Sequence, residues 1–360
     1  MDREESLQIE LIRVLCILTM MWVHVSPGLS VPSYVNDGPM DPLGLFLGRT
    51  LGRISVTTLS FISGYLFWRT AIGRPFSEVV RRLFAGILLP MLVWSAAFLL
   101  LAFLKEALVD QPASALDRVQ PGFWGLFNSW TGLAGPQANL SLFFIRDLII
   151  STLILRLAAP LISAAPVAAL LLTLGLLALP QTAPVLFRPN IFLFMLLGAV
   201  VARAGQTITQ LSRPGLALSL GLLLTLLTIA MVKSGLAGQH HIGVLHDLLR
   251  RMGIGLLMLA LTGVLARSVR AAQFAPLGRH CFLAYLLHVP LIGICWSAWQ
   301  SVVGTQNQPA YLIFYLAIPV VCLAVAALGG RALDHAPVPL QITLRGKSFA
   351  AAKLRHRQSA

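Results

Sequence analysis

The chain has 360 residues, of which 57% are hydrophobic and only 11% charged, with a formal net charge of +14. Soluble domains carry roughly 25% charged residues, so this composition excludes an ordinary soluble protein and predicts an integral membrane one. The basic residues are spread through the whole chain without a nucleic-acid-binding motif, which argues against a nucleic-acid partner.

With about 20 apolar residues needed per crossing, spans are predicted at 7–26, 43–68, 83–104, 140–157, 161–180, 189–204, 214–233, 248–267, 280–302 and 309–330. The expected fold class is all-α, a polytopic bundle of ten transmembrane helices. A β-barrel is not expected, because no stretch alternates in polarity over the ~10 residues of a barrel strand. Nor does the first helix read as a secretory leader, since it begins with the acidic "MDREES" and shows no small-residue cleavage site. One membrane domain is expected over 1–335 and a basic tail over 336–360.

The first helix contains "LIRVLCILTMMWVHVS", apolar except for Arg13 and His24. A charge at mid-membrane costs at least ~2.5–3.5 kcal/mol, so such residues point to function. Their spacing of eleven residues is close to three turns at about 100° per residue, which sets both on one face roughly 16 Å apart. In the second helix Arg49 and Arg53 are four residues apart and share a face. Ser60, Ser63 and Gly64 follow, where small residues let helices approach closely; ordinary packing also accounts for Ser63 and Gly64. Arg69, Arg81 and Arg82 stand between the second and third helices. The long polar interruption at 105–139, with Pro112, Pro121 and Pro136, reads as an outward loop. Its Trp124, Phe127 and Trp130 suit an interfacial aromatic belt, with a sugar-stacking platform as the alternative.

The fourth helix carries Arg146 and Asp147. Neighbours on a helix point about 100° apart, so each is expected to serve a different partner, Asp147 as ion pair to an arginine elsewhere. Near the eighth helix stand His246, Asp247, Arg250 and Arg251. The ninth, "RHCFLAYLLHVPLIG", places Arg279 and His280 at its start and sets Tyr285 and His288 three apart on one face; hydrogen-bonded packing is the plainer role for His288. Cys16, Cys281, Cys295 and Cys322 fall in apolar helices without metal-site spacing, so no metal site is expected.

Lys and Arg accumulate on the cytoplasmic side. With the N-terminus inside, seventeen basic residues fall on inner segments against six on outer ones, which predicts cytoplasmic termini. The tail then meets solvent or lipid headgroups. Sorted by depth, Arg13, Arg69, Arg81, Arg82, Arg279 and His280 gather toward the cytoplasm, and His24, Arg49, Arg53, Arg146 and Asp147 toward the outside. Inner arginines suit a phosphorylated donor, because guanidinium grips phosphate bidentately. An outer imidazole suits a hydroxyl acceptor.

Four passages in order resemble the acyltransferase-3 family of membrane enzymes. They are the Arg13–His24 helix, "LSFISGYLF" followed by "VVRRLFAGILLPMLVW", "LSLFFIRDL", and "FLAYLLHVPLI". The resemblance implies a ten-helix bundle in the bacterial inner membrane that takes an acyl group from cytoplasmic acyl-CoA to a sugar hydroxyl on the far side. The family's essential histidine matches His24 and its helix-1 arginine matches Arg13. Its basic pair before the third helix matches Arg81 and Arg82, although a further basic position is Ala85 here, and the tryptophan of the fourth-helix pattern is Phe143.

The size resembles the stand-alone members that modify exopolysaccharides, succinoglycan-type succinyltransferases among them. The donor is then succinyl-CoA or acetyl-CoA, consumed as substrate with no permanently bound cofactor, and the acceptor is a polysaccharide or lipid-linked oligosaccharide. In that scheme His24 is the base or the acyl-carrying nucleophile. Arg146 and then Arg53 are the oxyanion stabilisers, and Asp147 orients a partner. Arg13, Arg69, Arg81, Arg82, Ser63, Tyr285 and His288 hold the donor; Arg49 and Arg53 meet an anionic acyl group or acceptor. A transporter or flippase of lipid-linked saccharides is the alternative, disfavoured because the sequence shows no paired inverted repeats.

Overall fold

The computed structural model describes residues 1–25, 42–109, 116, 119–135, 137–178, 185–236, 240–268, 270–305 and 309–347. Among them every regular element is helical, as the absence of alternating polarity requires. Six helices among the described residues are long and apolar enough to cross a membrane: Arg3–His24, Phe76–Leu108, Pro214–Lys233, Ile242–Ala266, Ala271–Val302 and Tyr311–Leu333. They correspond to six of the ten predicted spans.

The other four predicted spans fall short for identifiable reasons. The helix over 43–68 is present, as a π-helical stretch Leu45–Gly52 running into α2 (Arg53–Thr70), but its arginines lower its apolarity. The fourth is a 15-residue helix, α6 (Phe143–Leu157), entered through a 3-10 turn. The region 161–180 breaks at Ala165 and resumes as α8 (Pro166–Ala178), and 189–204 becomes the 14-residue α9 (Asn190–Arg203). Fourteen residues at about 1.5 Å each give roughly 21 Å, less than the ~30 Å of hydrocarbon.

The chain forms two compact units. The first comprises 1–23, 42–73 and 154–279. Here α1 (Arg3–Met21) begins at Asp2, whose carboxylate caps the Glu5 amide, as N-terminal acceptors do. Its buried Glu5 accepts from Tyr65 Oη at 2.5 Å and from the Ile208 amide at 3.0 Å. One turn on, Gln8 donates to the Leu259 carbonyl and accepts from Ser212 Oγ. In a medium without water each buried polar group needs such a partner, and these bonds tie α1 to α2 and to α12 (His240–Ala266). Helices α2 and α9 cross at two glycines. A Cβ on Gly64 would lie 1.9 Å from the Met195 carbonyl oxygen, and one on Gly198 2.0 Å from that of Phe61. Only hydrogen fits at either point, which is how small residues bring membrane helices into contact.

The second unit comprises 24–41, 74–153 and 280–360. It contains α3 (Phe76–Leu83), the π-helical Phe84–Leu88, α4 (Leu89–Val109), α5 (Gly122–Thr131), α6 as far as residue 153, α14 (Cys281–Val302) and α15 (Tyr311–Leu333). The aromatic helix α5 is docked by Trp130, whose Nε1 donates to the Leu92 carbonyl while its own carbonyl accepts from Ser95 Oγ. Phe123 and Trp124 remain exposed on it, while Phe127 and Trp130 are half-buried. The predicted tail begins with a folded piece, α16 (Val338–Arg345). Arg345 is buried, paired with Asp334 at 2.7 Å and donating to Gly330 O and Gln341 Oε1, and Trp94 Nε1 donates to the Leu344 carbonyl. Residues 348–360, the rest of that tail, lie outside the described residues.

Candidate functional site

The apolar α1 ends in a 3-10 turn, Trp22–His24. Arg13 lies on α1, and His24 is the last residue of the 3-10 turn that follows it. His24 belongs to the second unit and Arg13 to the first.

His24 meets the ring of His288 edge-on, with centroids 5.1 Å apart and planes at 61°. His288 lies on α14, and Tyr285, one turn earlier on the same face as its spacing requires, stands with its ring 5.6 Å from the His288 ring. His288 Nδ1 lies 2.6 Å from the Tyr285 carbonyl oxygen. Tyr285 Oη donates to the Ser141 carbonyl, and Phe144 packs edge-on against its ring at 5.8 Å. Tyr285 and His288 are both buried, and His24 is half-buried.

The segment that receives Tyr285 is irregular and polar, "PQANLSLFF". Asn139 Oδ1 accepts from the Ser141 amide and hydroxyl, capping the turn Leu140–Leu142, and Asn139 Nδ2 is buried without a partner among the described residues. Arg146 and Asp147 follow on α6, both buried. Arg146 Nη1 contacts Asp147 Oδ1 at 2.7 Å and Nη2 donates to the Leu133 carbonyl at 3.2 Å. The expectation that these neighbours serve separate partners is thus corrected in one respect: the long guanidinium arm folds back onto the adjacent carboxylate.

The remaining candidates are distributed differently. In the first unit Arg13 pairs with Glu10 at 2.5 Å. Glu10 lines an open groove of about 580 Å³ with Arg3, Ser6, Leu7, Pro276 and Arg279, and its carboxylate lies over Gly278, where a Cβ would come within 2.0 Å of Glu10 Oε2. Arg69 stands over the Tyr65 ring at 5.8 Å. Ser63 Oγ donates to the Leu59 carbonyl within its own helix. Arg53 opens α2 with an exposed side chain, and its carbonyl accepts from Arg251, which with Arg250 pairs with Asp247. Arg49 lies in the π-helical stretch, with its side chain outside the described residues. In the second unit Arg82 pairs with Glu78, which also holds Arg74, and Arg81 is exposed beside them. No metal-binding group of three or more His, Cys, Asp or Glu occurs among the described residues.

A profile described as an acyltransferase domain, of the acyltransferase-3 type, matches residues 6–328. The chain belongs to the acyltransferase-3 family. It is also similar to the succinoglycan biosynthesis protein ExoH of Rhizobium meliloti strain 1021, at 28% identity over 375 residues, 98% of this chain and 95% of that one. No solved structure matches it.

In this acyltransferase the matched region contains His24, Arg146, Asp147, Tyr285 and His288, and it ends before α16. Sequence reasoning missed Glu10, Asn139 and Ser141. A signal for each was present. Glu10 stands three residues before Arg13, the spacing at which helical side chains meet. Asn139 and Ser141 form a polar run immediately before an apolar helix, where a capping residue belongs.

Proposed function

We propose that the protein is an O-acyltransferase that moves a succinyl or acetyl group from cytoplasmic acyl-CoA to a sugar hydroxyl of an extracytoplasmic exopolysaccharide or its lipid-linked precursor. The observation that carries the reading is the cluster of half-buried His24 with buried His288 and Tyr285 in a chain of this family. The printed name of the Rhizobium relative supports an exopolysaccharide as the acceptor class.

In this reading the groove at the start of α1 takes the nucleotide end of the donor. Arg3 and Arg279 meet its phosphates, and Arg13 exchanges Glu10 for phosphate oxygen, a contact that guanidinium makes well. His24 takes the hydroxyl proton while the sugar oxygen bonds to the thioester carbon. The C–S bond then breaks, and the proton leaves with the CoA thiolate, so the imidazole is regenerated. The basic inner segments set the donor side, and Arg49 with Arg53 offers cations for the free carboxylate of a succinyl group.

Purified protein incubated with acceptor polysaccharide and radiolabelled succinyl-CoA or acetyl-CoA tests this directly. Label enters the polymer from one of the two donors; incorporation from neither overturns the reading. Losing a hydrogen bond to a charged group is worth about 1.5–3 kcal/mol. Arg13→Ala should therefore raise KM for acyl-CoA roughly tenfold or more, with kcat little changed. An unaltered KM would show that Arg13 only holds Glu10.

A further inference from the structure

His288 stands beside His24 with one ring nitrogen held and the other bare. Its Nδ1 faces a backbone carbonyl at 2.6 Å. A carbonyl only accepts, so Nδ1 carries the proton, and in the neutral ring Nε2 is left with a lone pair. That Nε2 is fully buried and has no partner among the described residues. An unsatisfied buried acceptor costs about 1–3 kcal/mol and is rare without a function. With the two rings 5.1 Å apart and edge-on, a small rotation brings a nitrogen of His24 within hydrogen-bond reach of it. The ring that presents Nε2 is itself fixed, by its anchor on the Tyr285 carbonyl, by the tyrosine hydroxyl on Ser141, and by Phe144 against the tyrosine ring.

We propose that His288 is a positioning residue for His24: its Nε2 accepts a ring N–H of His24 and so turns the other, unprotonated nitrogen of His24 toward the acceptor hydroxyl. This rests on the acyl-transfer reading above and assigns to His288 the orienting part that a carboxylate plays in a Ser-His-Asp triad. A neutral imidazole does so without placing a permanent charge in the membrane. When His24 receives the hydroxyl proton, its N–H to His288 becomes a charge-assisted bond, which is stronger than the neutral one. The stabilisation therefore grows as the transition state forms and should appear in kcat.

Side-chain amides separate this role from mere packing. Asparagine places its amide near the Nδ1 position and keeps the anchor to Tyr285; glutamine places its amide oxygen near the Nε2 position and keeps the acceptor. Acceptor-dependent CoA release is measured for wild type, His288→Asn, His288→Gln and His288→Ala, each purified in detergent and checked by gel filtration. His288→Asn and His288→Ala should lose roughly 10–100-fold in kcat, the usual effect of removing an orienting partner, with KM for acyl-CoA within about twofold. His288→Gln should recover part of that loss. Asparagine matching or exceeding glutamine, or a loss confined to KM, overturns the proposal while leaving the acyltransferase reading intact. Wild type that releases no CoA overturns both. Should the alanine variant not fold, the order of glutamine and asparagine still decides.

Discussion

His24→Ala should lower acyl transfer by about 10²–10⁴-fold, the range spanned by loss of a positioned acid–base group, while yield and gel-filtration behaviour in detergent stay those of wild type. The imidazole sits half-buried at the end of α1, beyond the bonds of Glu5 and Gln8 that hold this helix in its unit. Its removal leaves no unpaired charge. The loss should appear equally in kcat and kcat/KM, because the group acts on the proton of the acceptor and not on donor binding. Polymer acylation measured with saturating labelled donor checks this, and activity within a few-fold of wild type would remove His24 from the chemistry.

Asp147→Ala should cost about 3–5 kcal/mol of folding stability, the typical effect of stranding the partner of a buried ion pair. Asp147 is fully buried and Arg146 nearly so, and the guanidinium also holds the Leu133 carbonyl. Removing the carboxylate takes the ion-pair partner from a buried guanidinium. Replacing both at once, Arg146→Met with Asp147→Leu, should restore most of the folding, since an apolar pair of similar volume has neither charge to bury. Thermal unfolding in detergent reads both. A double variant no better than Asp147→Ala would contradict the ion-pair account. Activity of the refolded double variant adds a second readout. If Arg146 donates to the oxyanion of the transition state, turnover stays down by about 10²–10³-fold although the fold is recovered.

Much of this was legible in the chain itself. Apolar length located the six long spans, and the spacing of three between Tyr285 and His288 put them on one face, where they stand. What local sequence could not give was the pairing of His24 with His288, which are 264 residues apart and meet only through packing. With His288 assigned to the donor site in the scheme that the resemblance implied, its partner could not be seen. The 3-10 turn at Trp22–His24 was overlooked for a simpler reason: Pro27 and Gly28 stop the helix just beyond it, and helices commonly tighten into a 3-10 turn at such an end. Arg146 and Asp147 misled because helical geometry fixes the Cβ directions but not where a four-bond arginine arm finally rests. The tail "LRGKSF" looked solvated by composition, yet Arg345 is buried, satisfied by the Asp334 carboxylate just past α15 and by oxygens of Gly330 on α15 and Gln341 on α16, whose convergence the sequence does not show.

The central claim is that donor and acceptor are used from opposite sides of one membrane. Proteoliposomes of the purified protein, loaded with acceptor polysaccharide in the lumen only and supplied with labelled acyl-CoA outside, test it most directly. The account expects label on the luminal polymer and free CoA in the outer medium. Label appearing only when polymer and acyl-CoA share a compartment would contradict it.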